Sequence, residues 1–133
     1  MAIQYSTTHR TNNMTDLVTD LGATAFLLIY TGAAPATCGT AASGTLLVSM
    51  PCSATAGTVS AGVLTMNAIT TTATGNAGTA GYWRLCTSSA GTTVVAQGSV
   101  GTSGADLNFA GGVAWTSGEN ITVSSFTITA TGA

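Results

Sequence analysis

GTAGYWRLCTSSAGTTVVAQGSV, residues Gly78 to Val100, decides how this chain is built. Two alternating runs flank the cluster Ser88, Ser89, Ala90 and Gly91. Alternation with period two is the pattern of a β-strand, and a short group of small turn formers between two such runs predicts a hairpin. In the first run Trp83 and Leu85 share one face while Tyr82, Arg84 and Cys86 share the other, because successive strand side chains point to opposite sides. One of these faces is expected to meet the core.

The same texture extends in both directions from this hairpin. Thr45 to Met50, Gly62 to Ile69, Gly78 to Thr87, Thr92 to Val100, Ala105 to Phe109 and Asn120 to Ala130 are strand-like runs separated by Gly, Ser and Asn groups. Such regular spacing is the signature of a sandwich or barrel. Ala23 to Tyr30 is apolar on both faces and is expected to be a central strand, since only burial on both sides favours such a run. Thr31 to Gly44 has no period and reads as a long loop, a length that often marks a contact element. In the last run Ile121 and Val123 alternate in one phase and Phe126 and Ile128 in the other; a bulge near Ser124 and Ser125 would bring both pairs to one face.

Ahead of these strands, Met14, Leu17, Val18 and Leu21 recur at the spacing of one helical face, and Gly22 suits the left-handed position that ends a helix. The spacing predicts a helix over Arg10 to Leu21, with Asp16 and Asp20 on its wet side. The expected fold is therefore mainly β: an antiparallel β-sandwich or jelly-roll-like barrel of about seven strands with one short N-terminal helix. Residues 1–9 form an arm holding Ile3, Tyr5 and His9, and residues 10–133 form a single β-sandwich domain.

Charge narrows the function. Only 5% of the 133 residues are charged, lysine is absent, and the formal net charge is −2. Soluble domains ordinarily carry about 25% charged residues, so copies of this chain have little net repulsion to hold them apart. With 45% hydrophobic residues the chain is not of the disordered class, which is polar and highly charged. Two arginines cannot neutralise a phosphate backbone, which excludes nucleic acid as a partner. The longest apolar run, Ala23 to Tyr30, is far shorter than the roughly 20 residues that span a bilayer, so no membrane role is expected. Met1 to Thr15 lacks the basic start and apolar stretch of a secretory signal. Unless a leader has been removed, the chain is expected to stay in a reducing cytosol. Cys38, Cys52 and Cys86 make an odd count, which fits buried thiols better than a complete disulfide framework; Cys38 and Cys52 flank one loop and could pair only in an oxidising compartment.

The inventory for chemistry is short, and no catalytic, cofactor-binding or metal residue is expected. His9 is the one imidazole and lies in the arm, where chain ends hold geometry poorly. Asp106 and Glu119 bracket a hairpin-like segment; two carboxylates alone fall short of a calcium site. Tyr82, Trp83 and Trp115 are the rings a sugar platform would use, set against core positions for Trp83 and a plug at one end of the sandwich for Trp115. Arg84 is the one basic residue inside a strand; its fork suits a carboxylate such as Asp106 or Glu119, and exposure on the strand is the alternative. The candidate interface residues are Ile3, Tyr5, His9, Arg84 and Trp115.

An N-terminal helix followed by LLIYTGAAP, GTLLVSM, GTAGYWRLCTSSAGTTVVAQGSVGTSGADLNF and GENITVSSFTITATG resembles a family of small tailed-phage structural proteins. Gly78 to Phe109 is the most specific part. The resemblance implies a virion component without catalytic activity or cofactor, assembled in the host bacterial cytoplasm. A capsid decoration or minor capsid protein is most similar in size and β character, with a tail or neck protein or a fibre-like appendage as the alternative and a carbohydrate-binding attachment module as a third reading. The partners expected on this reading are copies of itself, in a symmetric homo-oligomer such as a trimer, and the major capsid protein or other virion proteins.

Overall fold

The structure, a computed structural model, describes residues 2–133. Its elements in chain order are α1 (Thr7–Leu21), β1 (Phe26–Thr31), β2 (Leu46–Pro51), β3 (Gly57–Ser60), β4 (Val63–Met66), β5 (Thr72–Ala73), β6 (Gly78–Cys86), β7 (Val94–Gly101), β8 (Leu107–Asn108), β9 (Ala114–Trp115), β10 (Asn120–Ile121) and β11 (Thr127–Thr129). The chain is mainly β with a single short helix, as the alternation predicts.

The main sheet runs β2-β1-β6-β7-β8, with β9 pairing the start of β6. A second sheet, β11-β4-β3, and the pair β10-β5 complete the fold. The β6–β7 hairpin forms where expected: Gly91 N donates to Ser88 O at 3.3 Å and Thr87 N to Thr93 O at 3.2 Å. β1 is central, paired antiparallel to both β2 and β6.

One core joins the layers. Leu27 and Ile29 of β1 and Trp83 and Leu85 of β6 meet Leu64 and Met66 of β4, Phe126 and Leu21 of α1. Trp83 packs edge-on against Phe126 with centroids 4.9 Å apart. Across the hairpin from Trp83 stands Gly98, where a Cβ would lie 2.7 Å from the indole Cζ2. The missing side chain is the space the indole occupies.

Three expectations are corrected. The helix begins at Thr7 because Ser6, in extended conformation, accepts a hydrogen bond from His9 N at 3.2 Å and caps it. His9 is therefore in the first turns of α1, not in the arm. The apolar face of α1 is as predicted: Leu21 is buried and Met14, Leu17 and Val18 pack against the core, while Asp16 and Asp20 are exposed. Secondly, the run from Gly62 is half of a hairpin whose first strand, β3, carried too little apolar pattern to be read. Ser60 pairs Val63, leaving Ala61 and Gly62 as a two-residue turn with φ of 51° and 79°, the primed geometry that suits twisted strands. Thirdly, the phase change in Asn120 to Ala130 is not a bulge. Ile121 pairs β5 in one sheet and Ile128 pairs β4 in another, and residues 122–126 carry the chain between them, so each half keeps its own inward phase.

Candidate functional site

β1 and β6 are buried on both faces, and the second face is where the unusual chemistry lies. Leu28, Tyr30, Tyr82 and Cys86 form a core of their own, flanked by Phe26, Leu46 and Val94. The loop of residues 32–44 covers it. Its neck is closed by Thr31 N donating to Thr45 O at 3.0 Å and by Thr45 N donating to the Thr31 hydroxyl at 2.8 Å. Gly44 sits at this neck with φ +75°, where a Cβ would strike the Thr31 carbonyl. Compact loops with closed ends are frequently functional.

Side chains of the sheet hold the loop down. The Tyr82 hydroxyl donates to Ser43 O at 2.6 Å and accepts from Ser43 N at 3.1 Å, while its ring stacks on Tyr30 with centroids 5.0 Å apart. Gln97 Nε2 donates to Pro35 O at 2.7 Å. Arg84 Nη2 donates to Thr40 O at 2.8 Å.

Arg84 is the anomaly. It is 2% exposed, with its Cζ 6.0 Å from the Tyr82 centroid. Its Nε has no hydrogen-bond partner among the described residues. The register sets Ser49, Leu28, Arg84 and Gln97 in one row across four strands, and Ser49 Oγ and Gln97 Oε1 are also buried without partners. The proposed carboxylate partners are engaged elsewhere: Asp106 Oδ2 accepts from Ser99 N at 2.9 Å, and Glu119 Oε1 from Thr116 N at 3.1 Å. Both interactions close local turns. Burial pushes the Tyr30 phenol and the Cys86 thiol above their ordinary ranges, and the Arg84 charge opposes this without reversing it. Arg84 is thus a buried positive charge that no carboxylate among the described residues pairs with.

Above it lies an open cavity of about 530 Å³ between the 38–42 stretch of the loop and the 91–94 stretch of the β6–β7 turn. Arg84 lines it together with Thr40, Thr92 and Thr93.

Comparison with protein-family models, curated proteins and solved structures finds no match to this chain. The chain's own residues therefore carry the functional reading.

The five candidate interface residues separate into two groups. Ile3 is 73% exposed and Tyr5 44%, and His9 is exposed with its ring 4.9 Å from that of Tyr5. These three share one end of the molecule, anchored where Tyr5 N donates to Gly132 O at 2.6 Å. Arg84 and Trp115 are buried, Arg84 lining the cavity under the loop and Trp115 packed in the core. Trp115 is 5% exposed, packed edge-on to Phe109, with Nε1 donating to Gly112 O at 3.1 Å. With Tyr82 and Trp83 also buried, none of the rings considered for a sugar platform presents a face. The loop cover was missed because its sequence is Gly, Ala, Thr and Ser with no period; the signal that was available is the two-sided apolar pattern of β1, which requires a second covering layer.

All three cysteines are free thiols. Burial pushes Cys52 up to about 11 from 9.0. In that window the folded chain keeps a proton that the unfolded chain has lost, so stability falls as pH rises from 9.0 through about 11. Tyr30, raised above 10.0, acts in the same direction. Urea unfolding midpoints should drop across this range, and Cys52→Ala should flatten the slope; an unchanged slope in that variant would assign the loss to other groups.

Proposed function

We propose that this chain is a structural component of a tailed-phage virion, a capsid decoration or minor capsid protein that acts by packing against other protein copies and performs no chemistry. The observation that carries this reading is the placement of Ile3 and Tyr5. They are the large hydrophobic side chains left exposed among the described residues, and both sit on the short segment ahead of α1, tied to the body through Tyr5 and Gly132. Apolar anchors on a tethered segment suit docking onto a neighbouring subunit. The remaining surface supports the reading. It is built largely of Thr, Ser, Ala and Gly with 5% charge in the whole chain, and such surfaces lose less on desolvation than charged ones.

The assembly proposed is a symmetric homo-oligomer, a trimer, seated on the major capsid protein of particles assembled in the bacterial cytoplasm. Reconstruction of the particle tests the location. A shell position predicts copies in the hundreds, whereas a tail or neck position predicts a small multiple of about six. Capsids lacking the protein should disrupt at lower temperature; density on the tail axis alone would move the assignment to the tail or neck. Ile3→Asp tests the anchor. Because Ile3 is 73% exposed, the monomer should melt within a few degrees of the parent, while the trimer and capsid binding are lost. A trimer that survives Ile3→Asp would place the contact elsewhere.

A further inference from the structure

The geometry points to a carboxylate-binding site in the cavity above Arg84, a feature independent of the virion reading. Four observations converge on it. Arg84 is 2% exposed and carries a permanent charge. Among the described residues no carboxylate pairs with it, Asp106 and Glu119 being held by Ser99 and Thr116. Nη2 is fixed by Thr40 O at 2.8 Å and orients the guanidinium, and Nε is buried without a partner among the described residues, so the part of the guanidinium that lines the cavity is what remains for a ligand. Finally, it lines a cavity of about 530 Å³ that is open to solvent.

The class of anion follows from charge and shape. One guanidinium supplies one positive charge, and lysine is absent from the chain. A phosphate dianion would be left with uncompensated charge in a partly desolvated place. A carboxylate is balanced by Arg84 alone, and its two oxygens match the planar fork of an arginine. The Thr92 and Thr93 residues at the rim provide hydroxyls of the type that complete the lone pairs of a bound carboxylate. The chemistry is the same for a free carboxylate and for the acidic side chain of a partner subunit.

The test uses the full chain labelled with nitrogen-15, titrated with sodium acetate, sodium phosphate and sodium chloride at matched ionic strength. Acetate is expected to give saturable shifts at the amides of Thr40, Thr92 and Thr93 and at Arg84 Nε–Hε, with chloride giving none. Arg84→Met should weaken acetate by about tenfold or more, the factor carried by a charge-assisted hydrogen bond. Arg84→Lys, which keeps the charge and loses the fork, is a second variant that should lose most of the affinity with the fold intact. N-acetyl-aspartyl amide separates the sources: tighter binding than acetate assigns the cavity to a partner's side chain, and equal or weaker binding assigns it to a free carboxylate. Acetate shifts that do not saturate, that persist unchanged in both variants, or that are exceeded by phosphate affinity would overturn the proposal.

Discussion

Trp83→Ala is expected to destabilise the folded chain by about 3–5 kcal/mol, the range for emptying a buried aromatic site. Trp83 is 3% exposed and is the side chain through which β6 of the main sheet meets Phe126, 77° between the ring planes. Its loss removes contacts on both layers at once. The site has little capacity to collapse, because Gly98 opposite has no side chain to move into the void. Against a typical total stability of about 5–15 kcal/mol, a loss of this size leaves the variant marginal. Denaturant unfolding at constant slope measures it. Trp83→Phe is the control: the indole Nε1 has no hydrogen-bond partner among the described residues, so phenylalanine gives up volume and removes an unsatisfied donor together, and should lose less than half as much. A loss below about 1 kcal/mol for Trp83→Ala would mean that the two layers are held together elsewhere.

Arg84→Met is expected to act in the opposite direction, raising stability by about 1–4 kcal/mol, the range found when buried ion pairs give way to apolar residues of similar volume, because here too a desolvation cost is removed. An arginine at 2% exposure has surrendered most of its hydration, and what it receives is one hydrogen bond to Thr40 O and the face of Tyr82. Thr40 is exposed, so its carbonyl recovers water when the guanidinium is removed. Methionine keeps the long stem that covers the apolar floor beside Leu28 and Val94. The same measurement in acetate gives the coupling: a ligand that binds only the folded parent stabilises it by mass action, so the gap between parent and variant should narrow as acetate rises. A destabilised Arg84→Met would show that the bond to Thr40 outweighs the desolvation of the charge.

Both expectations concern β6, yet only one was legible in the residues. The alternation of Trp83 and Leu85 against Tyr82, Arg84 and Cys86 fixes which side chains share a face, and the structure keeps that division. It does not say how many faces are buried. A strand with an arginine between Tyr82 and Cys86 reads as having a wet side, whereas every residue from Tyr82 to Cys86 is buried. The candidate site was legible to the same degree: Arg84 stood out as a lone basic residue in a strand, but its partners did not. The carboxylates nearest in composition were taken by hydrogen bonds to neighbours a few residues away, Ser99 with Asp106 and Thr116 with Glu119. Such bonds require little loop ordering and compete well with distant pairs. The arm was half legible: Ile3 and Tyr5, read as candidate interface residues, are exposed, while the Ser6 cap drew His9 into the helix.

By itself, then, the sequence determined the mainly β class, the helix with its Met14 to Leu21 face, the Gly78 to Val100 hairpin and the central place of β1, because these depend on short-range periodicity and turn chemistry. Only the tertiary structure decided that the loop over residues 32–44 folds back as a lid on the second face, that the end of the chain divides between two sheets, and that Arg84 is buried without a counter-charge. These depend on contacts between segments far apart in the chain, such as Arg84 with Thr40 and Tyr82 with Ser43, and a run of small neutral residues carries no local pattern that specifies what it will cover.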